Sequence, residues 1–185
     1  MTLIYIRHAH DKKTSKSKLD DRLSHEGKKK ARHLARKLIR KHGVPSVIYC
    51  SPMYRTRQTA KEFLKVVEKH LRDQAPPTDQ AVPKIINDPR LGRLFTTKQQ
   101  HRYEKHAHTL RSSTENVILD QGKLEFRQRV EDQFNSVVKE ADSLVWNVTH
   151  SLVLLHVARI NKISREKHVK YLDTLLVEPK KIKVQ

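Results

Sequence analysis

Leu3-Ile4-Tyr5-Ile6-Arg7-His8-Ala9-His10 is the stretch from which the fold is read. Four β-forming apolar residues run straight into a cation and an imidazole, the pattern of a buried strand that delivers functional groups to its carboxyl end. Open α/β sheets keep their ligands at that end. Arg7 brings a planar fork of donors suited to phosphate, and His8 is a side chain that can be neutral, nucleophilic and hydrogen-bonded near pH 7. The octapeptide therefore suggests phosphate chemistry on a histidine.

Downstream, Asp11 to Asp21 is rich in Lys and Ser without apolar periodicity and reads as an exposed loop over the strand end. Ser24 is a suitable N-cap for a helix whose apolar stripe is Ala31, Leu34, Ala35, Leu38 and Ile39. Gly43 and Pro45 stop it, with Arg40, Lys41 and His42 in the last turn, where the helix dipole favours cations. Val44 to Tyr49 is expected as a second strand. It is followed by Pro52 and by a helix from about Thr56 that buries Ala60, Phe63, Leu64, Val67 and Leu71. Strand, helix, strand, helix is a βαβα half with parallel strands, so His8 and Arg55 should share one sheet edge and form a two-sided clamp for a phosphoryl group.

Between Asp73 and Gly122 the pattern weakens. Pro76, Pro77, Pro83 and Pro89 argue against regular elements, Thr96 to His108 is expected as one polar helix, and residues 73–122 read as an excursion over the site. His101, His106 and His108 lack the i, i+4 spacing with which a helix presents two imidazoles to one ion, so no metal is expected. Regularity returns with Phe126, Val130, Phe134, Val137, Val138 and Ala141 on one helix face. Leu144 to Val148 then forms a strand ending at Thr149, His150 and Ser151, and a buried helix carries Leu152, Val153, Leu155, His156 and Ile160. This repeats the arrangement at His8, and the new helix would aim its backbone donors at an anion beside His150. A strand from Thr174 to Val177 and a basic tail over residues 179–185 complete one domain, residues 1–178. His33 and His156 sit on or beside apolar stripes and read as structural histidines. Arg57, two residues past Arg55, should point away from the phosphate.

The chain has 185 residues, with 39 Lys+Arg against 20 Asp+Glu, a net charge of +19. Such a field attracts polyanions and makes association salt-dependent. It leaves nucleic acid, nucleotides, inositol polyphosphates, phosphoproteins and an acidic membrane face all open. Cys50 is a single cysteine among apolar neighbours, so a disulfide within the chain is excluded and an inert buried thiol is expected, as suits a reducing compartment. There is no apolar segment of membrane-spanning length and no apolar stretch of the signal-peptide kind at the N-terminus, so a soluble, cytoplasmic protein is expected.

Arg7-His8-Ala9 resembles the Arg-His-Gly signature of the histidine phosphatases, the superfamily that includes the phosphoglycerate mutases, with Ala in third place. Ser51-Pro52-Met53-Tyr54-Arg55-Thr56-Arg57-Gln58-Thr59-Ala60 is similar to the Ser-Pro-Leu-x-Arg-x-x-Gln-Thr-Ala segment of that family, and Thr149-His150-Ser151 to the segment of its second histidine. Leu23-Ser24 and Gly27 fall where the family starts its first helix. The resemblance implies a three-layer α/β/α sandwich with a mostly parallel sheet and a phosphoenzyme mechanism without metal or other cofactor. His8 would attack phosphorus; Arg7, Arg55 and His150 would hold the equatorial oxygens, with Thr14, Ser151 and Arg93 as further substrate contacts.

Two positions depart from the family. Aligning Leu91 with the leucine that precedes the usual acidic residue puts Arg93 where many members carry Glu, and an arginine cannot donate a proton at neutral pH. Thr14 stands where Asn is common. Asp88 and Glu104 are the nearest carboxylates able to replace the acid, and Asp11 in the first loop is a further candidate. Two readings follow. A phosphohydrolase whose leaving group has a low pKa has less need of the acid, and the small bacterial phosphohistidine phosphatases are similar in lacking that Glu. Alternatively, a catalytically weak or inactive relative keeps the pocket as a module that binds phosphate or a polyanion, phosphoprotein or RNA.

Overall fold

Alternation along the strands decides the layers. In β1 (Thr2–Arg7), Ile4 and Ile6 face one way and Leu3 and Tyr5 the other, all almost fully buried. A strand buried on both faces needs a layer of helices on each side. The computed structural model describes residues 1–12, 22–74, 80–92, 113–140 (side chains from 123), 143–163 and 170–179. Its five strands are β1, β2 (Val47–Cys50), β3 (Lys84–Asn87), β4 (Leu144–Thr149) and β5 (Thr174–Val177), in the order β3-β2-β4-β1-β5. All neighbours are parallel except β5, which runs antiparallel to β1 at the edge.

On one face, α1 (His25–His42) and α2 (Tyr54–Arg72) cover Ile4, Ile6, Ile48, Trp146 and Val148. Phe63 meets Trp146 edge to face, with ring centroids 5.6 Å apart. On the other, α3 (Ser113–Glu140) and α4 (Ser151–Ile160) cover Leu3, Tyr5, Val145 and Leu175. Under α3, Tyr5 donates to Gln133 Oε1 and Gln133 Nε2 to Asn147 Oδ1, a buried relay that leaves Asn147 Nδ2 without a hydrogen-bond partner among the described residues. The result is the expected three-layer α/β/α sandwich. Among the described residues, no helix is long and apolar enough to cross a membrane.

Several boundaries differ from expectation for identifiable reasons. The second strand starts at Val47 rather than Val44, because Pro45 has no N–H for the ladder and Ser46 is the first residue to donate, to the Leu144 carbonyl. The following helix starts at Tyr54, two residues early. The β3 strand was not expected at all: Pro83 and Pro89 bracket Lys84–Asn87 instead of interrupting it, and a short edge strand needs a ladder only on the β2 side. Helix α3 starts at Ser113 and runs through Gly122, whose cost of about 1 kcal/mol per helical glycine the rest of a 28-residue helix absorbs. The polar helix expected over Thr96 to His108 lies outside the described residues.

Helix α1 is capped as expected, with the Gly27 N–H donating to Ser24 Oγ at one end and Gly43 at φ 87° at the other. Gly27 also has a packing reason to lack a side chain, since a Cβ there would lie 2.2 Å from the carbonyl oxygen of His10. That carbonyl accepts from the Ser24 N–H, so the start of α1 is seated directly on the segment that follows β1. Gly27→Ala should therefore destabilise the fold by about 1–3 kcal/mol, the usual range for overpacking, despite alanine's better helix propensity. A thermal melt should show a fall of several degrees in Tm; an unchanged or raised Tm would mean the contact is not tight.

Candidate active site

β1 and β4 are paired from Thr2↔Leu144 to Arg7↔Thr149 and run out together. The His8 N–H then donates to the Thr149 carbonyl, so His8 and His150 leave adjacent strands at the same level. Their ring centroids are 5.3 Å apart, with the rings tilted 66°. Insertion of β4 between β1 and β2 is what makes the two histidines neighbours.

The His8 ring is held by its Nδ1, 2.9 Å from the Ala9 carbonyl oxygen. A carbonyl only accepts, so Nδ1 carries the proton and a neutral ring keeps its lone pair on Nε2. Burial, reinforced by the charges of Arg55 and Arg7, pushes the imidazole down to about 3, against the opposing pull of the Ala9 carbonyl and Asp11. At neutral pH the ring is thus uncharged among cations, with its lone pair on Nε2. Ala9, where the family signature has Gly, is fully buried without disturbing this: its N–H donates to Thr59 Oγ1.

Arg55 is 2% exposed and lies in the first turn of α2. The segment before and after it explains why each residue is needed. The Ser51 N–H donates to Val148, across to β4, and Ser51 Oγ lies 3.2 Å from His150 Nε2. Thr56 Oγ1 donates back to the Ser51 and Met53 carbonyls, folding the strand-to-helix turn. Gln58 Oε1 accepts from the Leu23 N–H, and Thr59 ties α2 to Ala9 while donating to the Arg55 carbonyl. One helical turn therefore fastens both segments that flank the pocket.

Asp11 Oδ2 lies 3.5 Å from the Arg55 guanidinium, and Asp11 Oδ1 accepts from the Tyr171 hydroxyl at 2.9 Å. Tyr171 also stacks under Arg7, whose guanidinium carbon is 4.2 Å from the ring centre, and meets the His8 ring edge to face at 5.5 Å. Burial and the hydrogen bond to Asp11 push its phenol up, so it remains a donor. The turn that carries it is pinned by the Asp173 carbonyl accepting from the Arg7 N–H, with Leu172 in the left-handed region at φ 62°. No periodicity announces Tyr171 in its Lys-rich surroundings, and the sequence reading missed it. Ser51, Gln58 and Thr59 were quoted only as part of a motif; their positioning roles need the coordinates.

Of the other expected contacts, Ser151 is the first residue of α4, directly after His150. Asp88 caps the 3-10 turn Pro89–Leu91, and its carboxylate is taken up by the Arg90 backbone N–H and guanidinium. Thr14, Arg93 and Glu104 lie outside the described residues, as do His101, His106 and His108. Arg57 is exposed. His156 binds Glu131 at 3.1 Å at the edge of the core, and burial pushes the enclosed Cys50 thiol up to about 11. Among the described residues, no cluster of three or more His, Cys, Asp or Glu side chains has metal-binding geometry.

No curated protein matches the chain by sequence. Several solved structures share its fold. The protein histidine phosphatase SixA complexed with tungstate aligns with a TM-score of 0.64 and 14% identity, over 96% of this chain and 88% of that one. The alpha-ribazole phosphatase from Shigella flexneri gives 0.58 and 19%, over 89% and 81%. Phosphoglycerate mutase from Bacillus anthracis gives 0.58 and 15%, over 96% and 88%. The sequence pattern of the histidine phosphatase superfamily (branch 1) matches residues 3–170, and the chain belongs to that superfamily.

Proposed function

We propose that this protein is a metal-independent phosphohydrolase that works through a phosphohistidine on His8, with an anionic substrate, a phosphoprotein or nucleotide-type molecule, whose leaving group has a low pKa. The observation that carries the reading is the tautomer of His8: Nδ1 is committed to the Ala9 carbonyl, and Nε2 is left with its lone pair beside Arg55 and His150. In the first step Nε2 attacks phosphorus, the N–P bond forms, and the P–O bond to the leaving group breaks with its electron pair going to that oxygen. In the second, water attacks phosphorus, the N–P bond breaks, and Nε2 recovers its pair as inorganic phosphate departs. Splitting the transfer gives two easier displacements. Arg7, Arg55 and His150 stabilise the charge spread over the equatorial oxygens, and fixed cations in a buried pocket do so without reorganising.

Arg93 at the usual acid position favours substrates that leave without a proton, and disfavours a mutase, which needs an acid-base partner there. Asp11 is the carboxylate built into the pocket wall, between Arg55 and Tyr171. Its role in this scheme is to take the proton of the attacking water in the second step, where general base catalysis is worth about 10²–10⁴-fold.

The test is hydrolysis of aryl phosphates in the presence of chelator, with rapid quenching. The wild type should turn over para-nitrophenyl phosphate, faster for better leaving groups, and His8→Ala should abolish it. Asp11→Asn should release the first phenol in a burst and accumulate acid-labile phosphoenzyme. Wild-type protein without turnover, or turnover surviving in His8→Ala, contradicts the proposal; loss of the burst in Asp11→Asn removes Asp11 from the second step.

The depressed His8 value has a separate consequence. Between about pH 3 and the ordinary histidine value of about 6.5, the unfolded chain binds a proton that the folded one does not, so stability is fully present above that window and falls as pH falls through it. Nitrogen-15 NMR at about pH 5 should find His8 neutral with the proton on Nδ1, and His8→Ala should flatten this part of the stability profile; an imidazolium signal at that pH contradicts the assigned tautomer and environment.

A further inference from the structure

The outer face of α1 and α2 holds a groove of about 790 Å³ that the chemistry at His8 does not use. Arg32, Arg36 and Arg40 line it from α1, and Lys65 and Lys69 from α2, all five side chains exposed. Both helices return against parallel strands and so run side by side in one direction. Residues four apart on a helix rise about 6 Å, and the groove is therefore walled by two rows of cations repeating at that interval. Glu62 neutralises the near end, where it pairs with both Arg32 and Lys65. Arg36, Arg40 and Lys69 have no ion pair to a described residue, and Asp73 is the one carboxylate among the described lining residues.

A second depression of about 400 Å³ follows the other flank of α1, past Lys29, Lys30 and Lys37 to Tyr171. The two share His33 and Arg36. Glu26 also lines the second depression and pairs with Lys30, while Lys29 and Lys37 carry the cationic surface on from the groove toward the ring that touches Arg7 and His8.

We propose that this groove binds single-stranded nucleic acid through its phosphates, without regard to sequence. Charge repeats evenly along the groove, which suits a polymer with one negative charge per unit. Three of its five permanent cations are arginines, whose forks match phosphate oxygens in pairs. Among its described residues the groove offers the aliphatic Ile39 and Val66 and the small imidazoles of His33 and His70, but no Phe, Tyr or Trp platform for base stacking, so recognition falls mainly to the backbone. Helices in contact have axes about 8–10 Å apart, so the two rows of cations flank one phosphate backbone running between them. An acidic peptide would need an apolar anchor pocket for register, and Ile39 is buried while Val66 is half-buried.

Fluorescence anisotropy with a labelled oligouridylate of about 20 nucleotides, titrated from about 50 to about 200 mM salt, tests this. Wild type and His8→Ala should bind alike. The triple variant Arg36→Glu, Arg40→Glu, Lys69→Glu should bind at least about tenfold more weakly, with a log K against log salt slope shallower by about 2, since each phosphate contact on a single strand contributes about 0.7. A circular dichroism melt and para-nitrophenyl phosphate hydrolysis, both unchanged in the triple variant, show that the fold and the His8 pocket survive. No binding by wild type at low salt, equal binding by the triple variant, or displacement of the oligonucleotide by poly-glutamate as readily as by unlabelled oligouridylate overturns the proposal, the last in favour of an acidic protein surface. Because His8→Ala is expected to bind, failure of the groove and failure of the catalytic proposal give different results.

Discussion

The parallel ladder between β1 and β4 is the constraint on which the rest of the molecule depends. Six residues of each strand pair in register, and the next hydrogen bond, from His8 to Thr149, ends the ladder. A slip by one residue would exchange the faces of every side chain in β1, sending Ile4 and Ile6 toward α3 and α4, and would separate the imidazoles. Burial of β1 and β4 on both faces thus fixes the geometry of the site as well as the core. The same apolar residues that hold the sandwich together hold His8 beside His150.

Gathering cations in a buried pocket opposes folding unless something offsets the repulsion. In this protein Asp11 does so toward Arg55, and the Tyr171 ring does so toward Arg7 through its negative face. His8 contributes by staying neutral. A bound dianion would compensate the same charges more fully, which is how the proposed phosphate site would draw on the repulsion among its cations. The α2 turn from Arg55 to Thr59 keeps the parts together. It fastens Leu23 before α1 and Ala9 after β1, so the pocket and the helix layer cannot move independently.

Much of this is legible in the sequence because it rests on local patterns. The run from Leu3 to Ile6, the stripe from Ala31 to Ile39 with its Ser24 cap, and the strand from Leu144 are continuous apolar signals, and each appears in the structure where the periodicity puts it. The fold class and the two strand-end histidines follow from them. The β3 strand is illegible because four residues with prolines nearby carry no periodicity; its stability comes from β2, a partner distant in sequence. The early start of α3 is hidden by polar residues and Gly122. Tyr171 belongs to the same class of omission. Its place beside His8 depends on an antiparallel edge strand and a left-handed Leu172, and neither leaves a mark within a few residues of it.

The central claim is that two imidazoles and two guanidinium groups serve one phosphoryl centre, with His8 as the attacking atom. A crystal structure with orthovanadate tests it most directly. The account predicts a five-coordinate vanadium bonded to His8 Nε2, its equatorial oxygens held by Arg7, Arg55 and His150, and Nδ1 still on the Ala9 carbonyl. Vanadate bound elsewhere, or bound in the pocket with His8 Nε2 turned away from it, would contradict the claim.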